Sequence, residues 1–275
     1  MLKKWIIRVV TAAALSVFLY SAFSLLLIRF RYAEAETLYK DAAASFTRSA
    51  ASAPAPEADL PSVTDAPAEG EREAAYAPIT VDFAALREVN PDVWGWLCCE
   101  GTVINYPVAH CGDNDFYLSH GYDRRPLGAG TIFSDAGNRG GTEDANIILY
   151  GHYMQDMSMF ATLKYWFGQN YFDAHPVMWL LTPRRDYRLE LYSVRSTSAT
   201  SSAYTIFSEP CAAFDEYLRR AKEASSVFSA VEPDGQLHHV LLSTCAYSYY
   251  DERTVLHGQL VPVESAGGLP LDQEN

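Results

Sequence analysis

Two side chains that are able to carry out nucleophilic chemistry each stand at the end of an apolar run. Cys245 follows residues 239–244, and His152 follows residues 146–151. A buried strand holds its last residue at a fixed place on the edge of a sheet, which suits a nucleophile. Cysteine attacks as the thiolate, and histidine is its usual partner for proton transfer. The pattern therefore predicts a cysteine nucleophile with a histidine acid and base, the alternative being a buried structural cysteine.

Two further residues near Cys245 in the chain compete for roles in the same chemistry. His257 lies twelve positions beyond Cys245 and is an alternative proton-transfer partner. Arg253 lies eight positions beyond it, where a cation would stabilise a thiolate or an oxyanion. A solvated arginine at the start of a strand is the alternative interpretation. Residue spacing alone leaves both choices open.

The remaining cysteines and a histidine pair give weaker signals. Five cysteines are too few for a disulfide scaffold, and no zinc-type pairs of cysteines are present. His238 and His239 are a weak metal candidate because no cysteine or carboxylate lies at ligand spacing. Cys98 or Cys99 could pair with Cys111 in an oxidising compartment. Three reduced thiols are the alternative.

Length, composition and charge exclude several classes of protein. The chain has 275 residues, which corresponds to one or two domains. Its hydrophobic fraction of 49% is that of an ordinary globular protein, so global disorder is excluded. A formal charge of −13 repels phosphate backbones. Nucleic acid is therefore not an expected partner.

An uncharged run over residues 9–28 is long enough to cross the hydrocarbon core of a bilayer. Lys3, Lys4 and Arg8 precede it, which favours an N-terminus inside the cell and the rest of the chain outside. The run is longer than the apolar part of a signal peptide, and two arginines follow it where cleavage would occur. We therefore predict an uncleaved single-pass anchor in the cell membrane, with the globular part extracellular.

The rest of the chain divides by composition into a stalk, a globular domain and a tail. Residues 29–78 are rich in Ala, Pro and Ser and cannot bury enough surface to offset their ordering entropy. This predicts a stalk, preceded by the anchor and by a cytoplasmic segment, residues 1–8. Residues 79–264 are the predicted catalytic domain and 265–275 a C-terminal tail. We expect a chain lacking residues 1–75 to fold, because the core begins after the stalk.

Short β-rich runs outnumber helical patterns in the globular part. The predicted strands cover residues 130–134, 146–150, 177–182, 187–194, 239–244 and 254–263. The predicted helices cover 82–89, with Asp82 as N-cap, then 157–167 and 212–225. The Ala-rich start of the stalk continues as helix to about residue 52. Many short strands with few long helices predict a mainly β barrel or sandwich with added helices.

Taken together, these segments resemble the class B sortases, the membrane-anchored cysteine transpeptidases of Gram-positive-type bacteria. The resemblance runs from residue 90 to about 263 and rests on Tyr-Gly-His-Tyr-Met at 150–154 followed by Leu-Ser-Thr-Cys at 242–245. Papain-like proteases carry their cysteine before their histidine, so this order argues against them. Supporting motifs are Asn-Pro-Asp-Val-Trp-Gly-Trp-Leu at 90–97, Ile-Asn-Tyr-Pro-Val at 104–108, Asp-Asn-Asp-Phe-Tyr-Leu at 113–118 and Arg-Thr-Val-Leu-His-Gly at 253–258.

The resemblance implies a fold and a set of site residues. The fold is an eight-stranded β-barrel with an N-terminal helical addition and a long helix between strands six and seven, where the predicted helix 212–225 lies. Carried over by position, Cys245 is the nucleophile, His152 rather than His257 the acid and base, and Arg253 the oxyanion or substrate clamp. The weaker assignments are the residues along the sorting-signal groove, Asn114, Leu118, Tyr204 and Ser243.

The resemblance also implies a reaction of the cysteine peptidase class. The enzyme cleaves the C-terminal sorting signal of a secreted protein after threonine, through a thioacyl-enzyme. An amine of peptidoglycan or of a pilin then accepts the protein. The implied signals resemble Asn-Pro-x-Thr-Asn or end in Thr-Gly. No calcium, other metal or cofactor is implied, and Ala246 stands where some relatives have an acidic residue, so a role for that acid is in doubt here.

Two alternative functions fit the same segments. One is a non-catalytic surface scaffold or adhesin with a sortase-like barrel, and the other is a simple cysteine endopeptidase. A methanethiosulfonate separates the first, because a catalytic Cys245 reacts with it and a buried structural cysteine does not. An added amine separates the second, because only a transpeptidase forms the ligated product.

Overall fold

The computed structural model describes residues 2–50, 76–245 and 252–263. Its strands are β1 Thr47–Ser49, β2 Ile79–Val81, β3 Val93–Cys98, β4 Asn105–Ala109, β5 Ile132–Ser134, β6 Asn146–His152, β7 Val177–Leu181, β8 Asp186–Ser198, β9 His238–Cys245 and β10 Glu252–Val263. The α-helices are α1 Leu2–Phe46, α2 Phe83–Val89, α3 Gln169–Ala174 and α4 Ala212–Glu223. Short 3-10 helices cover Phe116–Leu118, Phe160–Phe167 and Ser202–Tyr204.

Eight of these strands close into a barrel in the order β10-β8-β7-β3-β4-β5-β6-β9. Neighbours are antiparallel except for β4 with β5 and β6 with β9, which are parallel. The helix α4 lies between β8 and β9, the sixth and seventh barrel strands in chain order. The implied eight-stranded barrel with a helix at this place is therefore confirmed. Parallel pairing also brings the ends of β6 and β9 to the same edge of the sheet.

Two barrel strands were not predicted from the residue pattern. All six residues of β3 are buried, so the strand shows no alternation of polar and apolar residues. The β4 strand contains Pro107, a residue that argues against a strand because it cannot donate a ladder hydrogen bond. In the barrel, Pro107 lies opposite Trp96 of β3. Burial on both sides, which a local pattern does not reveal, explains both omissions.

The predicted helices are found with one change of extent. Asp82 caps α2 as expected, since its Oδ1 accepts a hydrogen bond from the Ala85 amide at 3.0 Å. The helix predicted at 157–167 starts later than expected, because its first three residues are not helical. Met157 and Met159 have φ angles of 67° and 53°, which a right-handed helix cannot contain, and only Phe160–Phe167 is helical.

The helix α1 passes through two different environments. Apolar side chains along residues 5–30 are exposed, and this helix is long and apolar enough to cross a membrane by length and composition. Farther along, Ala35, Tyr39 and Ala42 are buried against the barrel. The Tyr39 hydroxyl donates to the Gly130 carbonyl, and its ring meets Tyr106 edge-on at 5.2 Å. The expected continuation of the helix into the Ala-rich segment is found as far as Phe46, but residues 47–49 form β1, so the predicted end near residue 52 is wrong.

The expectation that the core begins only after residue 75 is wrong. Tyr39 is 6% exposed and belongs to the main core cluster. The strand β1, which directly follows α1, pairs with β2. Composition could not reveal this packing. Alanine is small enough to let a helix approach the barrel closely, but an alanine-rich segment does not have the large apolar residues that mark a core. The second half of the stalk lies outside the described residues, as does the predicted tail.

Removing residues 1–75 should destabilise the domain, whereas removing residues 1–32 should not. The longer deletion takes away Tyr39, and losing a buried aromatic side chain costs about 3 kcal/mol or more. For a domain of this size the thermal midpoint should fall by roughly 6 to 12 °C. Thermal unfolding of the two truncated proteins measures the difference. Equal midpoints would show that α1 adds nothing to the core.

Candidate active site

The barrel brings the two predicted catalytic residues to neighbouring backbone positions. In the parallel pair of β6 and β9, His152 is the register partner of Cys245. Neighbouring strands lie about 4.8 Å apart, so these two positions are adjacent although 93 residues separate them in the chain. Both strands end here, which leaves the pair at an edge of the barrel.

The register of β9 with β10 places His257 away from Cys245. His257 lies opposite Leu241, four residues before Cys245 along β9. At about 3.3 Å per residue the separation is roughly 13 Å along the strand. His257 is also 1% exposed, and its Nε2 lies 3.2 Å from the Tyr217 hydroxyl under α4. Strand pairing therefore places His152, and not His257, next to Cys245.

A backbone carbonyl orients the His152 ring. His152 Nε2 lies 2.6 Å from the Leu118 carbonyl oxygen, which can only accept a hydrogen bond. Nε2 therefore carries a proton in this arrangement. Gly130 packs against this carbonyl with φ 60°, and a Cβ there would lie 2.9 Å from the Leu118 oxygen. The turn thus requires glycine to keep the carbonyl in place.

Three of the four predicted groove residues line a cavity of about 220 Å³ beside this pair, together with Arg253. The Tyr204 hydroxyl and the Ser243 Oγ are 2.9 Å apart. Leu118 is not among the described residues that line the cavity. It contacts the site through its backbone carbonyl, which accepts a hydrogen bond from His152. Among the described residues, the lining consists of Asn114, Phe133, Tyr150, Ala199, Tyr204, Ser243 and Arg253.

Arg253 is held at the end of β9 by a backbone contact. Its Nη1 donates to the Thr244 carbonyl, one residue before Cys245, at 3.2 Å. Its Nε is buried and has no hydrogen-bond partner among the described residues. The Thr254 amide donates to Thr244 Oγ1, which ties the two strand ends together. An arginine with a spare buried donor at the cavity wall is suited to an oxyanion.

The other four cysteines are free and make no competing site. Burial raises the pKa of the Cys98 thiol strongly and that of Cys99 to about 11, so both stay protonated at neutral pH. The register sets Cys98 opposite Asn105, whereas Cys111 lies beyond the other end of the β3–β4 pair, roughly 17 Å away. A disulfide needs Cα atoms within about 7 Å, so the suggested pairing with Cys111 is excluded.

Comparison with known proteins places this geometry in a family. No family model matches the chain. Over 264 residues it is 31% identical to sortase B of Listeria monocytogenes serovar 1/2a, covering 94% of this chain and 98% of that protein. The chain belongs to the class B sortases. Sortase B of Staphylococcus aureus is 29% identical over 183 residues, which are 66% of this chain and 75% of that protein. The predicted family is confirmed, and with it the cysteine transpeptidase class.

Solved class B sortase structures match the barrel. A Staphylococcus aureus sortase B–substrate complex is 28% identical with a TM-score of 0.62, covering 66% of this chain and 85% of that one. A sortase B complexed with triglycine is 29% identical with a TM-score of 0.61, covering 66% of this chain and 86% of that one. The resemblance in fold therefore includes structures that hold a substrate and a short glycine peptide.

The sortase site also contains residues that the sequence analysis did not single out. Tyr150 and Phe133 line the cavity, and Asp135 accepts hydrogen bonds from Tyr150 and Asn114. Tyr150 was visible only as part of the Tyr-Gly-His motif. No pattern marked Asp135, because its partners lie 15 and 21 residues away on other segments.

The weak metal candidate is explained by hydrogen bonding instead. His238 Nδ1 lies 2.8 Å from the Asp144 carbonyl, and His239 Nε2 lies 2.9 Å from the Asp234 carbonyl. In the part of the chain that the structure describes, no group of three His, Cys, Asp or Glu side chains is placed to hold a metal ion. The two adjacent histidines therefore satisfy backbone groups of the sortase barrel.

Two buried histidines of the barrel should make its stability depend on pH. Burial lowers the pKa of His239 to about 4 and that of His257 to about 3. In the unfolded chain both titrate near pH 6.5, so acid favours the unfolded state. The free energy of unfolding should fall as the pH drops below about 6.5, by roughly 3 kcal/mol for His239 by pH 4 and by roughly 5 kcal/mol for His257 by pH 3. Urea titrations at several pH values measure this.

His257→Leu should remove about half of this pH dependence, whereas His120→Gln, at a partly exposed ring, should leave it unchanged. A free energy of unfolding that stays constant between about pH 7 and 5 in the parent protein contradicts the prediction.

Proposed function

We propose that this sortase cleaves the C-terminal sorting signal of secreted proteins after threonine and transfers them to an amine of peptidoglycan or of a pilin. The observation that carries the proposal is the register that makes His152 and Cys245 neighbours beside a cavity containing Arg253. The bound substrate and the triglycine of its structural relatives support a peptide donor and an amine acceptor.

In the proposed acylation step, the Cys245 thiolate attacks the threonine carbonyl carbon. Negative charge develops on the carbonyl oxygen, and the Arg253 guanidinium is the group proposed to stabilise it. The carbon–nitrogen bond then breaks, and His152 gives its Nδ1 proton to the leaving amine. The Leu118 carbonyl keeps the opposite ring nitrogen occupied, so the ring has one orientation for this transfer.

In the proposed second step, an amine attacks the thioester and forms a new amide. The amine's proton passes to His152 Nδ1, and the Cys245 thiolate leaves. His152 thus returns to the state in which it began, and no cofactor takes part in the cycle. Water in place of the amine gives hydrolysis, the side reaction of this mechanism.

We further propose that α1 anchors the enzyme in the cell membrane of a Gram-positive-type bacterium, with the barrel outside. The support is the exposed apolar surface of the helix and the basic residues Lys3, Lys4 and Arg8 at its start. Protease added to intact protoplasts should release the barrel. A barrel protected until lysis contradicts this orientation.

The experiment that tests the reaction combines the protein with a small library of sorting-signal peptides and candidate amines. Mass spectrometry should find the peptide cut after threonine and joined to the amine. Cleavage without a ligated product at saturating amine indicates a plain cysteine endopeptidase. No cleavage, together with no labelling of Cys245 by a methanethiosulfonate, indicates a non-catalytic scaffold.

Replacing Arg253 with alanine should lower the acylation rate about a hundredfold or more. This corresponds to roughly 3 kcal/mol, the cost of one lost oxyanion donor. Arg253→Lys should recover only part of the rate, because lysine lacks the planar fork of donors. Stopped-flow acylation measures the rate, and Arg184→Ala, on the exposed β7–β8 turn, is the control. A near-normal rate in Arg253→Ala would reduce the site to His152 and Cys245.

A further inference from the structure

Asp135 lies directly after β5 and contacts two residues of the cavity wall. Its Oδ2 accepts hydrogen bonds from the Tyr150 hydroxyl at 2.7 Å and from Asn114 Nδ2 at 3.2 Å. Asp135 is not among the described residues that line the cavity itself. We propose that Asp135 is a positioning residue that determines which hydrogen-bonding groups the cavity offers to a peptide. The inference rests on the proposed function, since it assumes that this cavity binds the sorting signal.

The first argument is that Asn114 has only one possible amide orientation. The Asn114 Oδ1 accepts a hydrogen bond from the Ala136 amide at 2.8 Å, while its Nδ2 donates to Asp135. Exchanging the two ends of the amide would set donor against donor and acceptor against acceptor. After these two hydrogen bonds, Nδ2 of an asparagine still has one N–H to donate and Oδ1 still has one lone pair to accept. Asn114 can therefore offer a donor beside an acceptor, the complement of a peptide bond or a carboxamide.

The second argument is that Asp135 connects to the opposite wall through Tyr150. The Tyr150 ring stacks on Tyr204, with centroids 6.2 Å apart and planes 23° apart. The Tyr204 hydroxyl in turn bonds to Ser243. Asp135 Oδ2 therefore links Asn114 to Tyr150 by hydrogen bonds, and through the stacked ring of Tyr150 to Tyr204. A cavity wall that is held in place in this way loses less conformational freedom when a peptide binds.

A purely structural role for Asp135 is the competing explanation. Its Oδ1 accepts a hydrogen bond from the Gly137 amide at 2.7 Å, a common turn formed by an aspartate with the residue two positions later. Asparagine makes the same turn through its own Oδ1. Asp135→Asn therefore keeps the turn and replaces only the Oδ2 acceptor with a donor. The Tyr150 hydroxyl can reverse its role and accept, but Asn114 Nδ2 cannot.

The test measures peptide turnover by the full chain in detergent micelles. Asp135→Asn should raise KM about tenfold, the effect of one lost hydrogen bond, with kcat within about threefold. In an Asn114→Ala background the same substitution should change KM less than about twofold, because its effect passes through Asn114. Asp234→Asn is the matched control, since Asp234 makes the same kind of turn with Gln236 at an exposed site away from the cavity.

The outcomes separate this inference from the proposed function. The positioning role is contradicted if Asp135→Asn leaves KM unchanged. It is also contradicted if Asp135→Asn raises KM by the same factor in the parent and in the Asn114→Ala background. Neither result affects the proposed transpeptidase function. An Asp135→Asn protein that does not fold also contradicts the positioning role, because the residue is then structural. If neither the parent nor Asp234→Asn turns over any sorting peptide, the proposed function falls and the inference falls with it.

Discussion

Replacing Cys245 with alanine should abolish formation of the thioacyl-enzyme and lower turnover by at least about a thousandfold. We expect no other cysteine to replace the nucleophile. Burial raises the pKa values of Cys98, Cys99 and Cys111, and Cys211 lies at the start of α4. The cavity proposed to bind the peptide should persist. Intact-protein mass spectrometry after a short incubation with sorting peptide detects the thioester adduct in the parent protein and its absence in Cys245→Ala.

The fold should tolerate this change, because a typical point substitution costs about 1 kcal/mol and this one removes a single sulfur atom. Cys111→Ala is the matched control, since Cys111 is a free and partly exposed thiol. It should retain normal turnover. An acyl group trapped on Cys98, Cys99, Cys111 or Cys211 would contradict the assignment of Cys245.

Replacing His152 with alanine should lower kcat/KM by roughly 10² to 10⁴, the usual contribution of a positioned acid and base. The loss should appear in both steps, because in the proposed mechanism the same Nδ1 gives a proton to the leaving amine and takes one from the incoming amine. Added imidazole should restore part of the rate by entering the space that the ring leaves. Single-turnover acylation, measured with and without imidazole, tests this expectation.

His175→Ala serves as the control for this experiment, since His175 packs on Trp166 and Tyr171 at the start of β7. It should leave kcat/KM nearly unchanged and should show no response to imidazole. If His152→Ala keeps a rate within about threefold of the parent, another group moves the proton, and the role assigned to His152 is wrong.

The family of this protein could be predicted from local features of the chain. Cys245 and His152 each end an apolar run, and short motifs around them indicated the family before any fold was known. Asp82 marked the start of α2 because an N-cap is a local interaction. The anchor prediction rests on the same kind of signal, since twenty uncharged residues in a row need no partner to be recognised.

Selection among the candidate residues depended on pairings between distant segments. His152 and His257 are both histidines on strands, and only the β6–β9 and β9–β10 registers separate them. Likewise, only the β3–β4 register shows that Cys98 and Cys111 lie at opposite ends of a strand pair. A one-residue slip in register changes every such neighbour, and a local pattern does not specify the register of two distant strands.

The roles of backbone groups and of small residues emerged only in the folded barrel. Leu118 was expected along the sorting-signal groove, and the barrel adds a contact between its carbonyl and His152 that does not depend on a leucine side chain. Ala35 and Ala42 looked like stalk residues, yet they seat α1 on the barrel. Residue type predicts what a side chain can do, whereas the partner of a carbonyl or of a small residue depends on which segments closure of the barrel brings into contact.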